Sequence, residues 1–297
     1  MMLPLLFAAQ AAAHVAAGAS PPSKLPTPND VVAQAPASAW KDIPADDLMV
    51  IDLKSGGRIV VQLAPAYAPV HVANIKALAR TGYWNGATVY RVQDDYVAQW
   101  GLNDSDKPWP AGVVAKPPAE YVRPLKGLKV TPLGSPDPYA PGAGFADGWP
   151  IAYSAKANWA NLAHCYASVG VGRDLTPDTG TGGELYAVIG HGPRQLDRNI
   201  ALVGRVVDGI DRFSTLPRGT EALGFYKDKA QYVPIASIRI ASDMPAAERP
   251  SYQYMDTASP TFAHYLHVRA NRHDSFYIRP AGGVDLCNVQ VPVRKKP

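Results

Sequence analysis

Apolar and polar residues alternate in short runs along most of this chain, the two-residue period of half-buried strands. Leu48 to Leu53 and Arg58 to Leu63 are the first such pair, and the Lys54-Ser55-Gly56-Gly57 between them predicts a hairpin with a glycine turn. The period then changes. Pro69 stands where the first turn of a helix tolerates a missing N–H, Val72, Ile75, Leu78 and Ala79 recur at helical spacing, and Gly82 falls at the C′ position. Strand patterns return over Ala87 to Val92, Val97 to Trp100, Tyr166 to Val171, Glu184 to Gly190 and Ala201 to Val206. A short helix is expected around Gly209 to Leu216, and a closing strand over Ala236 to Ser242.

Three stretches lie outside this pattern. Residues 103–161 hold many of the prolines, and so long a loop is unusual in a compact domain. They are read as an insertion with short strands near Leu128 to Val130 and Pro150 to Tyr153. Residues 246–297 carry Tyr252, Tyr254, Phe262, Tyr265, Phe276 and Tyr277, which predicts an extension folded onto the rest. Residues 20–44, rich in Ala, Pro and Ser, are expected to be a flexible linker. Before them an apolar run from Leu3 to Ala13 leads to Ala17 and Ala19, an A-x-A-like cleavage pattern ahead of Ser20. Residues 1–19 therefore read as a secretory signal, although the usual positive charge before the run is missing. The run is too short to span a bilayer, and the mature chain is expected in the periplasm or outside the cell, with no membrane insertion.

Composition narrows the function. Among 297 residues, 47% are hydrophobic, enough for a packed core, and the 29 prolines favour ordered loops over long helices. The net charge of +4 is mild and no basic face stands out beyond Arg294-Lys295-Lys296, which argues against nucleic-acid binding. Cys165 and Cys287 are the two cysteines. A disulfide and two separate buried thiols both fit the sequence.

Two blocks carry most of the chemistry: Tyr90-Arg91-Val92-Gln93-Asp94-Asp95-Tyr96-Val97-Ala98-Gln99-Trp100-Gly101, and Thr179-Gly180-Thr181-Gly182-Gly183-Glu184 running into Leu185-Tyr186-Ala187-Val188. With Ala68 to Gly86 and Leu196 to Val206 they resemble the cyclophilin-type peptidyl-prolyl cis/trans isomerases. The resemblance covers about Leu48 to Met244, with an isomerase domain over residues 45–245. It implies a mainly β fold, a closed antiparallel β-barrel capped by helices, here with the insertion and a C-terminal extension packed on the barrel. It also implies proline-containing polypeptides as substrates and no cofactor or metal.

An X-Pro amide turns slowly because resonance must be broken, so a catalyst must favour the twisted amide over either planar form. Arg91, in Thr88-Val89-Tyr90-Arg91-Val92, matches the family's catalytic arginine; a guanidinium stays charged and can donate to the imide nitrogen as it becomes pyramidal. Gln99 matches the glutamine that contacts that arginine, although Trp100 replaces the glycine that usually follows. Tyr96, Val97, Tyr186 and Leu196 correspond to the apolar proline socket, with two tyrosines where phenylalanines are usual. Gly172 and Arg173 align with a stretch that binds substrate backbone. Glu184 replaces a glutamine and is expected to face Arg91 or Arg173.

Other signals are weaker. His264, His267 and His273 lack further ligands at metal spacing. The glycines of 179–183 enter a strand without a following Lys-Ser or Lys-Thr, so they form no phosphate loop. Ser168 beside His164 has no nucleophile elbow. A non-catalytic barrel that grips proline-rich peptides or a cell-envelope partner, as an envelope-assembly module, is the rival to the isomerase, favoured by Trp100, Glu184 and the two additions.

Overall fold

The computed structural model describes residues 25–103 and 106–297, so the signal expected over 1–19 lies outside the described residues. The flexible linker expected over 20–44 is corrected from its described part. Thr27 caps α1 (Pro28–Ala33) in a capping box with Asp30, and proline occupies the first helical position. Val31, Ala39 and Trp40, the first residue of β1 (Trp40–Asp42), are buried.

The glycine-turned hairpin is present as β2 (Leu48–Leu53) and β3 (Arg58–Leu63). Helix α2 (Pro69–Arg80) follows, its first N–H groups at Val70 and His71 donating to the Glu120 carboxylate at 2.9 and 3.0 Å. β4 (Thr88–Val92) and β5 (Val97–Gly101) pair antiparallel. The insertion forms its own antiparallel sheet from β6 (Thr131–Pro132), β7 (Gly142–Ala146), β8 (Trp149–Ser154) and β9 (Trp159–Leu162). The strand expected near Pro150 lies within β8. The one expected at Leu128 to Val130 is irregular chain following a turn, in which Gly127 (φ +94°) lets the Leu128 N–H close onto the Leu125 carbonyl.

β10 (Ser168–Val171), β11 (Leu185–Val188), β12 (Leu202–Asp208), the one-turn α3 (Asp211–Ser214) and β13 (Val233–Ile240) complete the central body. Eight strands close into a barrel in the order β10-β11-β5-β4-β13-β2-β3-β12. Last come β14 (Tyr252–Met255), α4 (Pro260–Ala270) and β15 (Val293–Lys295), with β14 pairing between β1 and β15.

The barrel strands β2 and β3 are apolar on both faces. Met49, Ile51, Leu53, Ile59, Val61 and Leu63 fill the interior, while Leu48, Val50 and Val60 face outward against Ile43, Met244 and Tyr252. A second core joins the extension to the insertion and the N-terminal segment through Trp40, Phe145, Met255, Phe262 and Leu286. The extension thus packs on the insertion as well as on the barrel. Of its aromatics, Phe276 and Tyr277 depart from expectation, lying 81% and 42% exposed. Cys165 and Cys287 are disulfide-bonded, their Cα atoms 4.9 Å apart.

Candidate active site

A β-bulge sets the geometry. The β4–β5 register pairs Val89 with Trp100 and Arg91 with Gln99, so Tyr90 is the extra residue on β4. Val89 and Val92 stay in the barrel core while Tyr90 and Arg91 both line a cleft outside it. On β5 and β11, ordinary alternation turns Ala98, Trp100, Leu185 and Ala187 inward and leaves Val97, Gln99 and Tyr186 at the cleft. The cleft, of about 740 Å³, gathers all nine residues singled out in the sequence: Arg91, Tyr96, Val97, Gln99, Gly172, Arg173, Glu184, Tyr186 and Leu196.

Arg91 is held on three sides. Its Nε donates to the Leu223 carbonyl at 2.7 Å, Nη1 to Gln99 Oε1 at 2.9 Å and Nη2 to Gln93 Oε1 at 2.6 Å. These bonds leave one N–H on each terminal nitrogen. The guanidinium lies 5.5 Å from the Phe225 ring centre and 5.9 Å from that of Tyr96. Burial lowers its pKa from the usual guanidinium value, and it has no carboxylate ion pair among the described residues.

Gln99 bridges two groups, donating from Nε2 to the Tyr90 hydroxyl at 2.6 Å while its carbonyl accepts from Arg91. Trp100 leaves the cleft clear: it is fully buried and stacks on Phe213 with ring centres 4.9 Å apart. The expected position of Glu184 is corrected. Its carboxylate faces neither Arg91 nor Arg173, because Tyr90 Oη at 2.7 Å and the N–H groups of Leu102 and Asn103 at 2.9 and 3.1 Å hold it.

In the apolar part of the cleft, the Tyr186 hydroxyl meets His164 Nε2 at 3.1 Å, and His164 Nδ1 lies 2.9 Å from Asp197 Oδ1. Burial opposes ionisation of Asp197, but bonding from His164 and the charge of Arg194 outweigh it and hold the carboxyl below its usual range. Nδ1–H therefore donates to Asp197, and Nε2 lies within hydrogen-bond reach of the Tyr186 hydroxyl. Burial pushes the Tyr186 phenol up, keeping it neutral. His164 is thus the partner that the substituted hydroxyl needs. Ser168 has no part in this relay, since it donates to the Ala163 carbonyl.

Two site residues are already engaged. The Gly172 N–H donates to the Glu184 carbonyl at 2.8 Å, and Arg173 donates to the Asn199 and Asp174 carbonyls. Sequence reasoning passed over Tyr90, Leu223, Phe225 and Trp109, which also line the cleft. Tyr90 was detectable as the neighbour of Arg91 in a strand; Leu223 and Phe225 come from a loop more than a hundred residues downstream, and no local pattern marks them. His264, His267 and His273 are exposed, and no group of potential metal ligands occurs among the described residues.

An arginine is thus fixed on the outer wall of a closed antiparallel barrel, beside a pocket of tyrosine and aliphatic side chains. Residues 48–242 match the family described as cyclophilin type peptidyl-prolyl cis-trans isomerase, and the chain belongs to that family. Its activity class is accordingly peptidyl-prolyl cis-trans isomerisation.

Curated relatives named probable peptidyl-prolyl cis-trans isomerase occur in Brucella suis and Brucella abortus. They are 26% and 25% identical over 180 residues, covering 60% of this chain and 74% of each relative. The crystal structure of cyclophilin AquaCyp293 from Hirschia baltica, 23% identical, matches with a TM-score of 0.66 over 90% of this chain and 96% of that one. This likeness of fold reaches beyond the residues matched to the family.

Proposed function

We propose that the chain is exported and isomerises X-Pro bonds of folding polypeptides by a single-arginine mechanism. The proline ring enters the socket of Tyr96, Val97, Tyr186 and Leu196. Arg91 then donates one of its two remaining terminal N–H groups to the imide nitrogen. A planar amide nitrogen has its lone pair tied up in resonance, whereas the twisted form offers it as an acceptor, so the bond strengthens only as rotation proceeds. Gly172 and Arg173 line the part of the cleft that receives the substrate backbone preceding proline.

The observation carrying this reading is the Arg91 guanidinium, partly desolvated, free of a carboxylate ion pair among the described residues and fixed by three oxygen acceptors. Export is supported by the N-terminal apolar run and by the Cys165–Cys287 disulfide, a bond that persists in oxidising compartments.

The test is a protease-coupled proline-peptide assay on the chain recovered from the cell envelope, with Ser20 as its expected first residue. Arg91→Ala should lower kcat/KM by about 10²- to 10³-fold, the scale of one preorganised donor. Activity that survives the substitution overturns the mechanism. A parent chain that binds peptide without accelerating rotation points instead to the proline-peptide-binding module.

A further inference from the structure

The hydrogen bonds around Gln99 have only one consistent direction. An ionised carboxylate accepts but cannot donate, so at Glu184 Oε2 the Tyr90 hydroxyl must be the donor, over 2.7 Å. With its proton committed there, the phenolic oxygen can only accept from Gln99, which fixes the NH₂ end of the amide toward Tyr90 at 2.6 Å. The carbonyl end is thereby turned to Arg91 Nη1, at 2.9 Å. Were the amide reversed, two donors would face each other across that gap.

The surrounding backbone is shaped to hold this arrangement. A Cβ on Gly101 would stand 1.9 Å from Glu184 Oε2, so the carboxylate occupies the space a side chain would fill. At Gly172 a Cβ would come within 3.1 Å of the Glu184 Cβ and 3.3 Å of Gln99 Nε2. The other carboxylate oxygen is fixed by the backbone N–H groups of Leu102 and Asn103. A negative charge is thus locked in place two groups away from Arg91, where it orients the guanidinium through neutral intermediates without neutralising it.

We propose that Tyr90 and Glu184 are positioning residues of the isomerase, fixing the Gln99 amide so that its carbonyl holds Arg91 over the substrate. This rests on the arginine reading above. It assigns Glu184 to the support of the catalytic group instead of to the substrate, and Tyr90 to a role that sequence reasoning gave it no part in.

Tyr90→Phe removes one oxygen and leaves the ring in place. In the same assay the variant is expected to show kcat lowered about tenfold with KM within about twofold, the signature of a group acting in the transition state alone. Its Gln99 side-chain NH₂ resonances should move in a ¹⁵N–¹H spectrum while the remaining peaks stay dispersed. Glu184→Gln keeps only one accepting oxygen, so either the Tyr90 hydroxyl or the Leu102 and Asn103 N–H groups then face a donor, and its kcat should fall toward that of Tyr90→Phe with KM again little changed.

Arg91→Ala separates the two levels. If that variant is inactive while Tyr90→Phe and Glu184→Gln keep the parent kcat, the relay is refuted and the arginine mechanism stands. If Arg91→Ala is active, the mechanism beneath the relay fails. A change in KM alone makes Tyr90 a binding group and overturns its positioning role. Should Tyr90→Phe fail to fold, Glu184→Gln decides by the same kcat and resonance criteria.

Discussion

Gly101 leaves the space that Glu184 fills, and this makes a glycine beside a fully buried tryptophan indispensable for a reason other than backbone conformation. Gly101→Ala forces the carboxylate away from Tyr90, Leu102 and Asn103, leaving backbone donors at the start of the insertion without their acceptor. Each such loss costs about 1–3 kcal/mol where the group is shielded from water. Urea unfolding should show the variant less stable by at least that amount for one bond, and unchanged stability would mean that the carboxylate relocates without cost. At this scale the site was partly legible. Arg91 and Gln99 stand eight residues apart on paired strands, a spacing visible in the chain, and of the socket residues Val97 and Tyr186 follow strand alternation, whereas Tyr96 lies just ahead of β5 and Leu196 in a helical turn. The orientation of Glu184 was not legible, because its partners are a bulged tyrosine and two main-chain N–H groups, and main-chain groups carry no residue signature.

Helix α2 is fastened to the barrel by charge at one end and by a carboxylate cap at the other. Lys76 and Arg80 reach Asp46, both at 2.6 Å, just ahead of β2, and Arg80 also reaches Asp243. The Lys76 bond, with those of Arg80 and Ser242, lowers the Asp46 carboxyl from 3.8 to about 2 against the opposing effect of burial. A depressed acid pKa means the native state holds the ionised form more tightly than the unfolded chain does. Its stabilisation is fully present above about pH 4 and is lost as pH falls through 2. Thermal unfolding of Asp46→Asn against the parent should therefore show a gap at pH 7 that narrows between pH 4 and pH 2. Because the pair is half-exposed, that gap should correspond to less than about 1 kcal/mol; a gap independent of pH would assign it to packing.

Elements of this kind were readable wherever one periodicity dominated, as in α2 and the barrel strands. They were misread or passed over where composition hid a local signal. Thr27-Pro28-Asn29-Asp30 is a helix start set within an Ala-, Pro- and Ser-rich stretch, and β7 is built from Gly142, Ala143 and Gly144, residues with little strand preference.

Taken as a whole, the described residues form two large cores, the barrel interior and the one shared by the chain ends and the insertion, with smaller apolar clusters on the outer face of the barrel. The unbroken apolar run Leu48-Met49-Val50-Ile51 already required cover on both faces of β2, and the structure supplies it with Met244 and Tyr252. The second core has no counterpart in the strand alternation, because it forms between segments from opposite ends of the chain and from the insertion. The disulfide ties these together across 122 residues of sequence. Closing a loop of that size restricts the unfolded chain by about 4–5 kcal/mol on the chain-entropy model. Reduction should therefore lower the unfolding temperature of the parent, while a Cys165→Ser, Cys287→Ser double variant should start at the lower value and not respond to reductant. Isomerase activity at 25 °C should survive in both, since neither cysteine lines the arginine cleft. Loss of activity on reduction without unfolding would show instead that the bond holds the nearby His164–Tyr186 contact, and with it the socket, in shape.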